Sequence, residues 1–208
     1  MSTNLFKRLA SSIVIAPLII LPIHFGNLYF QILLLVILLL GLSEIINLKN
    51  ILIKFSMLTL FIIFIYSIYH IRKLDTGREY LYLILMITWL SDIGGYIFGK
   101  YFKGKKINII SPNKTFIGFV GSYIFSYLSL IYIYKYKLFF FSNFLANSIF
   151  VIICCSLVIV GDLLFSFFKR RSFIKDFSNL IPGHGGLFDR IDGLILLTIF
   201  LNFFLFNE

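Results

Sequence analysis

Long apolar runs alternate with short polar breaks along the whole 208-residue chain. Seven apolar segments stand out, near 5–25, 28–48, 51–71, 80–98, 115–134, 144–168 and 187–206. Runs of about 18 or more apolar residues suffice to cross a bilayer core as helices. The pattern predicts an all-α fold, a polytopic integral membrane helical bundle of about seven transmembrane helices. Pro17 and Pro22 predict a kink in the first segment, and Gly26-Asn27 a tight turn before the second. No internal repeat, linker or low-complexity tract interrupts the pattern, so residues 1–208 read as a single membrane domain.

Composition narrows the class. The chain is 60% hydrophobic, 19% aromatic and 13% charged, more apolar surface than a soluble domain of this size could hide. A net charge of +10 invites a nucleic-acid reading. The basic residues lie in short clusters between apolar runs, however, as in membrane loops, so a lipid bilayer is the expected partner and nucleic acid is not. Cys154 and Cys155 are adjacent within an apolar run, where helical neighbours point apart. They are expected to pack or face lipid rather than to pair. Lys7-Arg8 followed by an apolar stretch resembles a signal peptide, but no small-residue cleavage site follows, which favours an uncleaved anchor.

Basic residues also set an expected orientation. With the N-terminus inside, inner segments hold 14 Lys and Arg, and outer ones hold 5: Arg72, Lys73, Arg78, Lys135 and Lys137. The N-terminus is therefore expected to be cytoplasmic, in the cell membrane, with the inner face carrying the chemistry.

That chemistry begins with the acids. Of nine Asp and Glu, Glu44, Asp92, Asp162, Asp189 and Asp192 fall within apolar segments or at their ends. A carboxylate is costly in lipid and must face protein, water, a cation or a substrate. Asp92 precedes Lys100 by eight residues and Asp162 precedes Lys169 by seven. At about 1.5 Å per residue, both lie roughly 10–12 Å from the inner boundary. Asp189 and Asp192 enter the last segment from the same side and share a helical face, as do Asp162, Ser166 and Lys169. Converging aspartates repel unless a cation intervenes, and oxygen-only ligation points to Mg²⁺ or Mn²⁺. Asp162, Asp189 and Asp192 are the candidate metal ligands. The alternative is salt bridging to Lys169, Arg170 or Arg190. Glu44 could pair with a base or border a lipid entry.

Two inner loops face these acids. One runs from Gly99 through Lys106 to Ser111-Pro112-Asn113-Lys114-Thr115, where the fifth segment opens. A helix N-terminus with free N–H groups, a hydroxyl and a lysine suits a phosphate, although the glycines of a Walker loop are missing. The other contains Lys169-Arg170-Arg171, Lys175-Asp176 and Pro182-Gly183-His184-Gly185-Gly186, whose glycines allow close backbone approach to a ligand. Each loop alone also fits ordinary attraction to anionic lipid. With the aspartates they describe a polyphosphate site. His184 could serve as acid or base, or merely orient its loop.

The segment Ser166 to Asp192, with Ser166, Lys169-Arg170, Lys175-Asp176, Ser178, Pro182-Gly-His184-Gly185-Gly186 and Asp189-Arg190-Ile-Asp192, resembles the phosphatidate cytidylyltransferase (CDP-diacylglycerol synthase) family signature position by position. Ser91-Asp92-Ile-Gly94-Gly95-Tyr96, Ser111-Pro112-Asn113-Lys114-Thr115-Phe-Ile-Gly118 and Gly161-Asp162-Leu163 are similar to further blocks of that family. The likeness spans residues 88–193; residues 1–79 resemble it only as hydrophobic N-terminal spans, and 80–208 would carry the catalytic helices and cytoplasmic loops. Two positions depart: Phe165 stands where the family usually has an acid, and Ile117 where it often has a polar residue.

The resemblance implies transfer of CMP from CTP to phosphatidic acid, with Mg²⁺ and K⁺ as a second cation. Asp92, Asp162, Asp189, Asp192 and Lys169 would be catalytic. Ser91, Ser111, Lys114, Thr115, Ser166, Arg170, Lys175, Asp176, His184, Gly185, Gly186 and Arg190 would bind substrate. Oligomeric state stays open, with a homodimer among the options. Other classes also stay open: a CTP-dependent lipid kinase, a small transporter or channel, and a catalytically dead relative.

Overall fold

The computed structural model describes residues 15–102, 104–106, 114–138, 140–178, 180 and 185–206. Its helices are α1 (Ile15–Phe25), α2 (Asn27–Ile46), α3 (Ile51–Arg72), α4 (Gly77–Phe102), α5 (Phe116–Ser126), α6 (Ser129–Lys135), α7 (Phe144–Arg171) and α8 (Phe188–Phe206). The fold is all-helical, as the apolar runs predict. An isolated bridge between Lys106 and Thr115 closes the α4–α5 loop together with a 3.1 Å bond from the Phe116 N–H to the Lys105 carbonyl.

Helix limits follow local chemistry. Gly26 (φ +67°) and Asn27 (φ +44°) take left-handed backbone between α1 and α2, the tight turn anticipated there. Asn50 caps α3 by accepting from the Leu52 and Ile53 N–H groups, and Thr115 caps α5 by accepting from the Gly118 N–H at 3.1 Å. The fifth apolar segment departs from the expected continuous run. It breaks at Tyr127-Leu128, where Leu128, Leu130 and Ile131 bond to carbonyls three residues back, a local 3₁₀ tightening.

Among the described residues five helical stretches are long and apolar enough to cross a membrane: α2, α3, α4, α5–α6 together (Phe116–Lys135) and α7. The described part of α1 is shorter, and α8 opens on Asp189, Arg190 and Asp192. Large apolar side chains such as Leu28, Leu52, Phe55 and Leu145 stand on the outer surface, as expected of a lipid-facing bundle.

Close packing comes from small residues. A Cβ on Gly94 would lie 2.2 Å from the Gly121 carbonyl oxygen, and one on Gly121 would lie 2.5 Å from the Gly94 carbonyl oxygen. Between the same helices the Ser122 hydroxyl donates to the Ser91 carbonyl at 2.8 Å. Across α7 and α8, a Cβ on Gly161 would meet the Asp192 carbonyl oxygen at 2.6 Å. Cys154 and Cys155 are free and buried, and so serve packing.

Of two apolar cores, one includes Leu83, Ile87, Ile133, Phe150 and Leu197. The other includes Met57, Phe61, Phe165, Phe177 and Phe188. The second underlies the end of the bundle where α2, α4 and α7 finish and α5 and α8 begin. At the opposite end His70 Nδ1 lies 3.1 Å from Asn202 Oδ1, so α3 and α8 run in the same direction.

Candidate active site

α4 and α7 each deliver an aspartate to a common cavity of about 190 Å³. Asp92 and Asp162 line it with Ser91, Tyr96, Lys114 and Thr115. Lys114, just before α5, forms an ion pair with Asp162 Oδ2. One turn on, the Ser166 hydroxyl donates to Asp162 Oδ1 at 3.4 Å. Asp92 keeps an accessible surface. It feels the charges of Asp162, Lys114 and Arg190, and Asp192 feels those of Asp162, Asp92 and Lys169. Three aspartates from three helices therefore share one electrostatic neighbourhood, answered by lysine and arginine. All four aspartates lie toward the same end of the bundle, Asp92 and Asp162 in the last three turns of α4 and α7 and Asp189 and Asp192 in the first turns of α8.

Asp189 has a different setting. Its Oδ1 accepts from Lys169 Nζ at 2.7 Å, and its Oδ2 accepts from the Phe177 and Gly186 N–H groups, both at 2.9 Å. The ion pair to Lys169 is the alternative weighed from sequence. Three donors occupy most of the roughly four acceptor positions of a carboxylate. Asp189 thus ties the end of α7 and both sides of the intervening loop to the start of α8. Gly185 adopts φ +84°, and a Cβ there would stand 2.8 Å from Asp189 Oδ2. Among the described residues no three His, Cys, Asp or Glu side chains are grouped as a ready metal site.

The remaining sequence candidates fall in distinct places. Ser91 is buried, with its Oγ 3.7 Å from Cys155 Sγ. Thr115 is both cap and cavity wall. Arg170, Lys175, Asp176 and Arg190 are exposed at the same end of the bundle. Ser111 and His184 lie outside the described residues.

Sequence reasoning left Glu44 without a role. It is 1% exposed at the end of α2. Its Oε1 accepts from the Ser178 hydroxyl at 2.7 Å and the Leu187 N–H at 2.6 Å, and its Oε2 accepts from the Phe188 N–H at 3.1 Å. These amides open α8, where free N–H groups and the helix dipole favour an anion. Leu187 and Phe188, at the start of α8, carry no side-chain acceptor, and their N–H groups find one on α2 instead.

Phe165, where the family usually has an acid, is fully buried and stacks on Phe188 at 5.7 Å between centroids. Ile117 packs over Gly104, whose Cβ would lie 2.8 Å from the Ile117 side chain.

Comparison with known proteins adds independent support. Residues 49–207 match the model of the cytidylyltransferase family. The chain is 34% identical over 207 residues to the phosphatidate cytidylyltransferase of Rickettsia conorii, covering 96% of this chain and 90% of that protein. It is 34% identical over 204 residues to that of Rickettsia typhi, covering 93% and 88%. The Staphylococcus haemolyticus enzyme of the same name is 36% identical over 135 residues, covering 62% of this chain and 50% of that one. An acid-lined cavity, a carboxylate-tied glycine loop and similarity along nearly the whole length converge: the chain belongs to the cytidylyltransferase family.

Proposed function

We propose that this chain transfers CMP from CTP to phosphatidic acid, forming CDP-diacylglycerol and pyrophosphate for phospholipid biosynthesis. The observation that carries the reading is the cavity shared by Asp92, Asp162 and Lys114 at one end of a lipid-facing bundle. Water-borne CTP and a bilayer-held phosphate could both reach such a place. The basic-residue asymmetry supports a cytoplasmic location for this end, in a multi-pass cell-membrane protein.

In the proposed step a phosphatidate phosphate oxygen attacks the α-phosphorus of CTP. The bond to the α–β bridging oxygen breaks, and pyrophosphate leaves with that electron pair. The nucleophile is already anionic at neutral pH, so no strong base is needed. Positioning and charge neutralisation carry the rate. Lys114, paired with Asp162, and Arg190, whose charge acts on Asp92, are suited to bind phosphate oxygens, as are the exposed Arg170 and Lys175. Lys169, held by Asp189, keeps the ends of α7 and α8 in register.

The donor set fits Mg²⁺. It is oxygen-only, acid-rich and incomplete without water and substrate phosphates, which is how this ion is usually held. Asp92 and Asp162 would hold it, with Asp192 close by. Asp189 has little acceptor capacity to spare. When bound, the ion would neutralise charge on the nucleotide and leaving group. A second cation such as K⁺ belongs to the same proposal.

The test is purified protein in lipid–detergent micelles with CTP labelled at its α-phosphate, with and without Mg²⁺, and with dCTP and ATP as comparators. Label appearing in lipid with Mg²⁺ supports the reading. Label retained on CDP identifies a kinase instead, and nucleotide-independent flux in proteoliposomes identifies a transporter.

A further inference from the structure

Glu44 lies outside residues 49–207, the span matched by the family model, yet it touches the loop that leads into α8. We infer that Glu44 is a positioning residue that sets the first turn of α8 and, through it, the placement of Asp189, Arg190 and Asp192. The inference rests on the proposed CMP transfer only for its catalytic consequence.

The case starts from burial. A carboxylate that is 1% exposed in an apolar bundle needs compensation. Glu44 takes part in no ion pair among the described residues. Three donors compensate it instead: the Ser178 hydroxyl and the Leu187 and Phe188 N–H groups. They come from both sides of the 179–186 stretch, so one side chain on α2 fixes the entry and exit of that loop.

The fit leaves no slack. A Cβ on Gly186 would stand 2.5 Å from Glu44 Oε1 and 2.8 Å from Ser178 Oγ. Asp189 grips the same segment from its other face, through the Gly186 and Phe177 N–H groups. Two carboxylates from different helices thus hold consecutive amides: Gly186 goes to Asp189, and Leu187 and Phe188 go to Glu44. Release of the second grip lets the first turn of α8 shift with the three charged residues it carries. Catalysis is sensitive to such shifts even when the binding groups themselves remain.

An acid, rather than any polar residue, is required because all three partners are donors. In Glu44→Gln one end of the side chain becomes an NH₂ group, and either amide orientation sets it against an N–H or a hydroxyl donor. The size is unchanged, so packing is preserved.

Two readouts on the full-length protein test this. Amide exchange across residues 185–192 is expected to be faster in Glu44→Gln than in the unaltered protein. Turnover per folded molecule is expected to fall about 10–100-fold, with KM for CTP within about threefold. Ser178→Ala should lose less, and combining it with Glu44→Gln should cost little more than Glu44→Gln alone. Unchanged exchange would overturn the inference. So would faster exchange with unaltered turnover per folded molecule, which would leave Glu44 as fold support only. A wild-type chain that transfers no CMP would overturn the proposed function, while the exchange comparison would still decide whether Glu44 sets α8.

Discussion

Lys169 Nζ and Asp189 Oδ1 are 2.7 Å apart, and their side chains are 15% and 5% exposed. The pair joins the end of α7 to the start of α8 across the loop of residues 172–187. The Lys169 ammonium also lies 5.6 Å from the centroid of Phe177, whose own N–H bonds Asp189. A cation, an aromatic ring and a carboxylate thus form a closed triangle at the base of the loop.

Lys169→Met is therefore expected to leave Asp189 buried with two amide donors and no cation. Breaking one side of a buried pair typically costs about 3–5 kcal/mol. The residual access of Lys169 to solvent places the effect near the lower end, roughly 3 kcal/mol. Chemical unfolding in detergent measures it, and turnover should fall with it. A stability loss under about 1 kcal/mol would mean that the pair is screened as surface pairs are.

Gly186→Ala tests the other side of the loop. The added methyl would enter the space held by the Glu44 carboxylate and the Ser178 hydroxyl. The side chains must move apart, and overpacking of this kind costs about 1–3 kcal/mol. The expected outcome is a lower unfolding midpoint together with a larger loss of turnover than stability alone explains. An active, equally stable Gly186→Ala protein would show that the loop has room.

What could be read from the letters was the material with a period or a fixed reference point. Apolar run length announced the helices, and distances to Lys100 and Lys169 placed Asp92 and Asp162 at one end. The break at Tyr127-Leu128 had no such mark, because neither Pro nor Gly stands there and the residues are good membrane helix material. Glu44 could not be paired from sequence: its donors lie 134 to 144 residues away and two of them are backbone amides, which carry no residue identity. Asp189 read as a candidate metal ligand with Asp162 and Asp192, yet its oxygens accept from Lys169 and from the Phe177 and Gly186 N–H groups. Phe165 looked like a lost acid, and only its stacking on Phe188 shows that position to be core.

The α4–α5 contact makes a stability prediction independent of chemistry. Gly94 and Gly121 bring backbone against backbone, and a Cβ at Gly121 would also stand 2.5 Å from Phe98 Cβ. Gly121→Leu is expected to separate the helices and reduce the yield of folded protein in membranes, while Val120→Leu, on the exposed face one residue away, should be neutral. Equal yields for both would mean that the two helices can pack in another register.

Asp162→Asn decides what the Lys114–Asp162 pair is for. If Asp162 serves only as a counter-ion to Lys114, neutralising it should alter nucleotide affinity and leave the Mg²⁺ requirement alone. If it holds the metal, the Mg²⁺ concentration for half-maximal turnover should rise at least about tenfold, the usual scale for a damaged metal environment. Lys114→Met is the matched control, since it removes the cation and leaves Asp162 free with Asp92 nearby. Its KM for CTP should rise while its Mg²⁺ requirement stays flat or falls, because one competitor for the carboxylate is gone. We expect the two variants to separate in this way. Identical Mg²⁺ curves for Asp162→Asn and the unaltered protein would remove Asp162 from metal binding and leave Asp92 and Asp192 as the acids to test.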